Sequence, residues 1–238
     1  MLRFYYVIII NVFAIMYFVP KMAHYASHPE KYGEEERYAL ARQILRRVKR
    51  NARVTTEYYG VENLPKSGGY IMYSNHQGKY DTVGIMSGHS RPCTVLMDKK
   101  RSETFIAKQF VDLIQGQRID KESTRQQIKA LNRIAEEVEK GRIYLVFPEG
   151  MYRKDQDNSL NEFKKGCFIC AKKAKCSIVP VAIIDSYKPF GKNSLKTIST
   201  KVIFMPPVPY EEYSGMRTCE ISDMVRDKIK SEIFRWVR

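Results

Sequence analysis

The sequence predicts an α/β fold in which a mixed, mostly parallel sheet is flanked by helices. From Val54 onward, apolar and β-branched runs alternate with segments of helical periodicity, which is the pattern of a sheet that carries helices on its faces. Some connections between these runs are short, and this favours a mixed sheet over a purely parallel one. A largely apolar segment at residues 4–20 precedes this body and predicts an N-terminal membrane helix.

The apolar segment at residues 4–20 is near the minimum length for crossing a membrane. As a helix it would extend about 26 Å, against a bilayer core of about 30 Å, and Asn11 is its one strongly polar residue. A cleaved signal peptide or a buried core helix would also account for it, and spanning versus lying in one leaflet stays open. We expect residues 1–33 to form the anchor and joint and residues 34–238 to form one domain.

Basic residues are distributed unevenly around this segment. Arg3 alone precedes it, whereas a basic run follows it at Arg37, Arg42, Arg46, Arg47, Lys49, Arg50 and Arg53. By the positive-inside rule, the body of a membrane-associated protein with this pattern faces the cytoplasm, and the basic run suits an anionic membrane surface. The formal net charge of +15 fits an anionic membrane, a phosphorylated substrate or a nucleic acid.

The remaining elements are predicted in turn from end signals and periodicity. Residues 34–53 form a helix, since glutamates occupy its first turn, basic residues its last turn, and apolar residues recur at helical spacing. Strands are predicted at residues 54–59, 69–74, 93–97, 142–147, 178–184 and 200–205. Helices are predicted after Asp81 and at residues 103–113, 123–140, 163–175 and 221–236. Pro180 lies inside a predicted strand, which favours a buried edge position for that strand.

Two short strings stand directly after predicted strands. Asn75-His76-Gln77-Gly78-Lys79-Tyr80-Asp81 follows the strand at 69–74, and Phe147-Pro148-Glu149-Gly150 closes the strand at 142–147. In open α/β sheets, ligands bind beyond the carboxyl ends of the strands. The strand pattern therefore predicts that His76 and Glu149 emerge at one edge of one sheet.

His76 and Asp81 have the chemistry of a general base and its orienting partner. An imidazole can take up a proton near neutral pH, and a carboxylate on its second nitrogen fixes the tautomer and steadies the charge that the ring gains. Gly78 allows the chain between them to turn back. Two plainer interpretations stay open: Asp81 is also a suitable helix N-cap, and Pro148-Glu149-Gly150 is also an ordinary turn.

The ordered pair of strings resembles the glycerolipid acyltransferase family, which includes the 1-acylglycerol-3-phosphate acyltransferases. The resemblance extends over residues 60–207 and implies that His76 takes the proton of an acceptor hydroxyl. That hydroxyl then attacks an acyl thioester with no acyl-enzyme intermediate. The implied activity moves a fatty acyl group from acyl-CoA or acyl-carrier protein to 1-acyl-sn-glycerol 3-phosphate, giving phosphatidic acid in phospholipid biosynthesis. The resemblance implies neither a cofactor nor a metal.

The resemblance also implies substrate-binding residues at the two strings and between them. Asn75, Glu149 and Gly150 belong to the strings themselves, and Glu149 is expected to hold cationic or hydroxyl groups rather than to act as an acid. Backbone amides around Gly150 are candidate donors to the oxyanion. The candidate phosphate-side cations are Lys99, Arg118, Lys121 and Arg153.

The phosphate-side cations depart in part from the family pattern. Lys99 matches a lysine that the family carries after its third strand. Lys121 stands where the family has an arginine and lacks the two-pronged guanidinium fit to phosphate, with Arg118 as a possible substitute. Arg153 lies one place later than the arginine that follows the family's Glu-Gly. These departures leave open another lysolipid, or glycerol 3-phosphate, as the acceptor.

The cysteines and the remaining histidines do not indicate a second functional site. The five cysteines form an odd set, which favours a reducing compartment, and Cys167, Cys170 and Cys176 fit buried helical positions better than a zinc site. His24, His28 and His89 are expected at the surface or in loops.

The expected partners are a lysophospholipid acceptor, the acyl donor and an anionic membrane surface, without nucleic acid. A basic nucleic-acid-binding protein and a non-catalytic lipid-binding protein are the alternatives from other classes.

Overall fold

The structure, a computed structural model, describes residues 2–152 and 157–237. The helices are α1 (Leu2–Ile10), α2 (Val12–Ser27), α3 (Glu34–Asn51), α4 (Asp81–Gly88), α5 (Lys99–Ser102), α6 (Phe105–Leu113), α7 (Thr124–Glu139), α8 (Ile169–Ala174), α9 (Lys188–Gly191), α10 (Tyr210–Tyr213) and α11 (Thr218–Val237). The strands are β1 (Val54–Tyr59), β2 (Tyr70–Ser74), β3 (Thr94–Asp98), β4 (Gln117–Ile119), β5 (Ile143–Val146), β6 (Ser177–Ile184) and β7 (Ile198–Phe204).

The strands of the described residues form one seven-stranded sheet in the order β1-β7-β6-β2-β5-β3-β4. Strands β2, β3, β4, β5 and β6 are parallel wherever they are neighbours, β6 pairs with β7 in the antiparallel sense, and β1 is parallel to β7. The prediction of a mixed, mostly parallel sheet flanked by helices is therefore confirmed. The carboxyl ends of β2 through β6 all meet at the same edge of the sheet.

Helices cover both faces of the sheet and divide the core in two. Helices α7, α8 and α11 pack on one face, and α2, α3, α4 and α6 pack on the other. The side chains of β2 alternate between the faces, with Ile71 and Tyr73 in the first core and Tyr70 and Met72 in the second. A strand that is buried on both faces is apolar along nearly all of its length, which explains the run of large apolar and aromatic residues from Tyr70 to Tyr73.

The N-terminal apolar segment is a bent pair of helices, and the prediction of one helix over residues 4–20 is wrong. Helices α1 and α2 meet at Asn11 with a 77° bend. The buried Asn11 side chain donates to the Val7 carbonyl and accepts from Arg47 Nε and Asn51 Nδ2 of α3. In the described residues no single helix passes a test of length and hydropathy for a membrane span, although α1 and α2 pass it when taken together.

The N-terminal helices also contact the body of the protein. The Arg3 side chain is buried, and its guanidinium donates to the carbonyls of Pro189 and Lys196. Phe4 packs edge-on against Phe190 of α9, with ring centroids 5.7 Å apart. On α2, Phe18 and Met22 join the second core. The N-terminal helices are therefore packed against α3, α6 and α9 of the body.

Pro180 lies in the middle of the sheet, so the expectation of an edge position is wrong. Its strand, β6, is hydrogen-bonded to β2 on one side and to β7 on the other. The Pro180 carbonyl accepts from the backbone N–H of Met205, which follows the last residue of β7. The backbone nitrogen and oxygen of a strand residue point to the same neighbouring strand. The N–H that Pro180 lacks would therefore face Met205, just past the last residue of β7, where its absence costs little.

His89 is a buried residue in the loop after α4, so the expectation that it lies at the surface is wrong. Its ring is fully buried between the Tyr70 hydroxyl, 2.6 Å from Nε2, and the Arg91 carbonyl, 2.7 Å from Nδ1. Burial lowers the pKa of His89 to about 4, although the bond to Arg91 opposes this shift. The neutral imidazole is thus the form that the fold stabilises.

The neutral state of His89 predicts a pH-dependent loss of stability in acid. The unfolded chain binds this proton near pH 6.5 and the folded chain only near pH 4, so stability falls as pH is lowered across that window, by about 3 kcal/mol from this group. We expect His89→Gln to remove most of that slope in urea unfolding measured from pH 7 to pH 4. The exposed His24→Gln control should keep it. An unchanged slope in His89→Gln would contradict the assignment.

Candidate active site

His76 and Asp81 form a hydrogen-bonded pair just beyond the carboxyl end of β2. The Asp81 carboxylate is fully buried, and its Oδ2 lies 2.6 Å from His76 Nδ1. The same oxygen accepts the backbone N–H groups of Gln77 at 2.6 Å and Gly78 at 2.9 Å. Although Asp81 is the first residue of α4, these bonds are to the preceding loop, and it is not that helix's N-cap residue. The carboxylate holds the loop that presents the histidine.

The His76 ring is held between two aromatic side chains. Phe147 stacks on it with centroids 4.4 Å apart, and Tyr152 meets it edge-on at 5.1 Å. The side chain keeps 17% exposure, and Nε2 makes no hydrogen bond to any residue in the described ranges. One ring nitrogen is therefore paired with a buried carboxylate, while the other is available to a substrate, as a general base requires.

The Glu149 carboxylate joins the two sequence strings. It is 4% exposed, and it accepts the His76 backbone N–H at Oε1, 2.8 Å away, and the Asn161 backbone N–H at Oε2, 3.1 Å away. Burial raises the pKa of Glu149, and the two backbone donors oppose that rise by favouring the charged form. These contacts make Glu149 a clamp between the end of β5, the histidine loop and the segment around residue 161.

Gly150 forms a tight turn with lysines on both sides. Its φ is +72°, in the left-handed region that favours glycine, and a Cβ there would lie 3.0 Å from the side-chain end of Lys164. Lys121 Nζ donates to the Gly150 carbonyl at 2.7 Å and contacts Asp98 at 3.1 Å. The structure thus brings Lys121, which follows β4, beside the turn that follows β5.

The other substrate-binding candidates lie in different surroundings. Asn75 is fully buried, and its amide bonds both the N–H and the carbonyl of Ile183 in β6. Lys99 is half-exposed and lies 3.5 Å from Asp120. The Arg118 guanidinium contacts Asp112 at 2.7 Å and the Ser102 hydroxyl at 3.0 Å. Arg153 lies outside the described residues.

Four further residues at this edge of the sheet were missed by the sequence analysis. Ser186 donates its hydroxyl to Asp81 Oδ1 at 2.6 Å, and Asn161, Lys164 and Tyr152 make the contacts given above. Residues 163–164, predicted to open a helix, are extended instead, with the Lys164 N–H bonded to the Pro148 carbonyl. For Ser186 a signal existed, since it follows β6 by two residues just as His76 follows β2.

Three of the five cysteines, Cys93, Cys170 and Cys176, are buried, and Cys167 is partly buried. Burial raises the pKa of Cys170 to about 11 and that of Cys167 and Cys176 to about 12, so these side chains are thiols at neutral pH and poor metal ligands. Within the described part of the chain, no group of three or more histidine, cysteine, aspartate or glutamate residues is placed to hold a metal ion.

Comparisons with known proteins agree on one family. The family model described as Acyltransferase matches residues 55–184. The chain is 26% identical to human 1-acyl-sn-glycerol-3-phosphate acyltransferase alpha over 205 residues, covering 84% of this chain and 71% of that protein. It is 30% identical over 180 residues to 1-acyl-sn-glycerol-3-phosphate acyltransferase of Saccharomyces cerevisiae, covering 71% and 57% of the two chains.

A solved structure shares the fold. The crystal structure of the 1-acyl-sn-glycerophosphate (LPA) acyltransferase PlsC from Thermotoga maritima superposes with a TM-score of 0.79. The superposition covers 99% of this chain and 94% of that one, at 18% sequence identity. At that identity the similarity establishes the fold alone. The superposed part of the chain includes the N-terminal helices.

The clamp formed by Glu149 predicts a loss of stability when one of its oxygens is replaced. In Glu149→Gln an amide NH₂ faces a buried backbone N–H that loses its acceptor, so we expect the free energy of unfolding to fall by about 1–3 kcal/mol. Urea unfolding at neutral pH measures this change. Glu139→Gln, an exposed position on α7, is the matched control and should be nearly neutral. Equal stability of the two variants would contradict the clamp.

Proposed function

The chain belongs to the Acyltransferase family, and from that premise we propose that it transfers a fatty acyl group from an acyl thioester to the hydroxyl of 1-acyl-sn-glycerol 3-phosphate. The product is phosphatidic acid, a precursor in phospholipid biosynthesis. The resemblance drawn from the two sequence strings thus agrees with the family. Relatives that bear the name 1-acyl-sn-glycerol-3-phosphate acyltransferase support this acceptor.

The observation that carries the proposal is the state of the His76 ring. Its Nδ1 is bonded to Asp81 and its Nε2 is left free by the described residues, at the edge of the sheet where ligands bind. Asp81 holds the imidazole in the tautomer whose Nε2 has a lone pair. Stacking on Phe147 fixes the plane of the ring. A base of this kind contributes about 10²- to 10⁴-fold to a rate.

The reaction then proceeds by direct transfer. His76 Nε2 takes the proton of the acceptor hydroxyl as its oxygen forms a bond to the thioester carbonyl carbon. The tetrahedral intermediate collapses with cleavage of the carbon–sulfur bond, and the imidazolium returns the proton to the departing thiolate. Asp81 stabilises the imidazolium between these two steps. The cycle needs no covalent enzyme intermediate.

The lysines beside Gly150 form the most suitable phosphate contact among the described residues. Lys121 has three N–H donors, of which the Gly150 carbonyl and Asp98 take two. The end of Lys164 lies at the same turn. Together they put positive charge at the turn of Gly150, next to Glu149, which bonds the His76 backbone. We expect the phosphate of the acceptor to bind at this turn. Substrate-binding roles for Asn75, Lys99, Arg118 and Arg153 stay predictions.

The acyl donor is a thioester of coenzyme A or of acyl-carrier protein, and no cofactor takes part in the proposed transfer. A thioester is already an activated acyl group, so the protein supplies a base, orientation and charge stabilisation. Both donors present the same carbonyl to His76. The assay described below therefore includes both.

We also propose that the protein lies on an anionic membrane surface with its catalytic body on the cytoplasmic face. One face of α2 is apolar and exposed: Phe13 is 82% exposed, Met16 68% and Tyr17 60%. These residues are three and four positions apart and so form one stripe. A basic run on α3 follows, which suits anionic headgroups. An amphiphilic acceptor and product reside in such a membrane.

The proposed reaction predicts activity that depends on His76. Detergent-purified protein with 1-acyl-sn-glycerol 3-phosphate and either long-chain acyl-CoA or acyl-carrier protein should form phosphatidic acid. His76→Ala should lower kcat by at least about 100-fold, because the base is lost. Thermal unfolding of both proteins checks that the variant is folded. A folded His76→Ala with normal turnover would rule out the base, and glycerol 3-phosphate and other lysolipids test the acceptor.

The exposed stripe of α2 predicts that glutamates placed in it weaken binding to a membrane. Phe13→Glu/Met16→Glu should weaken sedimentation with anionic phospholipid vesicles by more than about tenfold, since two apolar side chains that would enter the bilayer are replaced by anionic ones. The control Ile128→Glu/Val237→Glu makes the same change at exposed apolar positions of α7 and α11. Equal sedimentation of the two double variants would exclude the stripe as the contact.

A further inference from the structure

We propose that Ser186 is a positioning residue that acts on His76 through Asp81. Its hydroxyl donates to Asp81 Oδ1 at 2.6 Å, and both side chains are buried, with Ser186 at 3% exposure. Asp81 Oδ2 carries the bonds to His76 Nδ1 and to the backbone of the loop. Among the described residues, Ser186 is the donor to the opposite oxygen. Removing it leaves a buried carboxylate oxygen without that partner.

The effect on the histidine follows from the geometry of a carboxylate. Rotation of a carboxylate about its Cβ–Cγ bond is soft, and donors to both oxygens restrain it more tightly than donors to one oxygen. Ser186 fixes that rotation and so fixes the oxygen that faces His76 Nδ1. A well-oriented carboxylate holds the imidazole in the tautomer with a free Nε2 and stabilises the imidazolium. Because Ser186 is buried behind Asp81, it acts on the step that moves the proton and not on the binding of substrate.

The position of Ser186 is itself fixed by the body of the fold. Its backbone N–H donates to Gln77 Oε1 at 2.8 Å, and Gln77 Nε2 donates to Asn158 Oδ1 at 2.9 Å. The Asn158 amide is bonded in turn to Asp185, which has a φ of +61° and turns the chain directly after β6. Ser186 therefore ties the end of β6 to the end of β2.

The inference uses the proposed acyl transfer as its first readout. In that assay, Ser186→Ala should lower kcat about tenfold with KM unchanged, as expected for a lost hydrogen bond to a charged group. Ser222→Ala is the matched control, since this hydroxyl is also 3% exposed and contacts the Phe163 carbonyl instead. Its kcat should stay at the wild-type value. If Ser186→Ala does not fold, Ser186→Cys keeps the volume, replaces the hydroxyl by a weak donor and should show the same loss.

A double-mutant comparison separates action through Asp81 from a general structural effect. In an Asp81→Asn background, Ser186→Ala should cost nothing further in kcat, because the carboxylate that it orients is gone. If the two losses multiply, Ser186 acts independently of Asp81 and the proposal is overturned.

A spectroscopic readout needs no turnover at all. The chain has four histidines, so ¹⁵N-histidine labelling gives a small spectrum in which His76→Ala identifies the His76 signals. Ser186→Ala should shift the His76 Nδ1 proton and leave the His89 signals in place, and Ser222→Ala should change neither. This result would stand even if the acceptor proposed above were wrong. An unshifted His76 proton together with wild-type kcat in Ser186→Ala would overturn the proposal.

Discussion

Two buried carboxylates determine the shape of the candidate site. Glu149 accepts the backbone N–H of His76, and Asp81 accepts those of Gln77 and Gly78. The three consecutive N–H groups of the histidine loop are thus bonded to carboxylate oxygens that come from different parts of the chain. Hydrogen bonds to an ionised acceptor are stronger than neutral ones, and burial removes the competition of water. The loop is held in one conformation because its backbone donors have these acceptors.

This arrangement explains how a strongly basic chain keeps two carboxylates out of water at one site. A buried carboxylate is costly unless donors surround it. Backbone N–H groups bond both oxygens of Glu149, and for Asp81 they are joined by the His76 ring and the Ser186 hydroxyl. The cationic side chains remain on the outer side, at Lys121 and Lys164 beside Gly150. Negative charge therefore shapes the inside of the site, and positive charge is left for an anionic substrate.

The parts of the site that the sequence predicted are those governed by local rules. His76 and Asp81 are close in the chain, and Glu149 follows a strand of the same sheet, so strand periodicity and the direction of the strands were enough. That Lys121 and not Arg118 contacts the Gly150 turn depends on the course of the chain through and after β4, a strand that the sequence analysis did not predict. The same strand rule applied to β6 would have pointed to Ser186.

Features that depend on distant partners were not predictable from local pattern. The partners of Asn11 at the bend include Arg47 and Asn51 from another helix, and the single polar residue in the segment at 4–20 does not reveal them. The burial of His89 requires the Tyr70 hydroxyl, so an isolated histidine in the sequence is a core residue in the fold. In each case a buried polar side chain, Asn11 or His89, forms hydrogen bonds to residues that are distant in the sequence.

The docking of the N-terminal helix has a consequence for the order of folding. Leu2 and Arg3 are bonded to Asn193 and Lys196, at separations of 191 and 193 positions along the chain. At a synthesis rate of about 5–20 residues per second, α1 leaves the ribosome roughly ten seconds or more before these partners exist. Throughout that interval Arg3 and Phe4 of α1 lack their partners in and after α9, whereas α3 and α6, on which α2 packs, are made much earlier. The docking of α1 is therefore a late step, which waits until strands β1 to β6 have been synthesised.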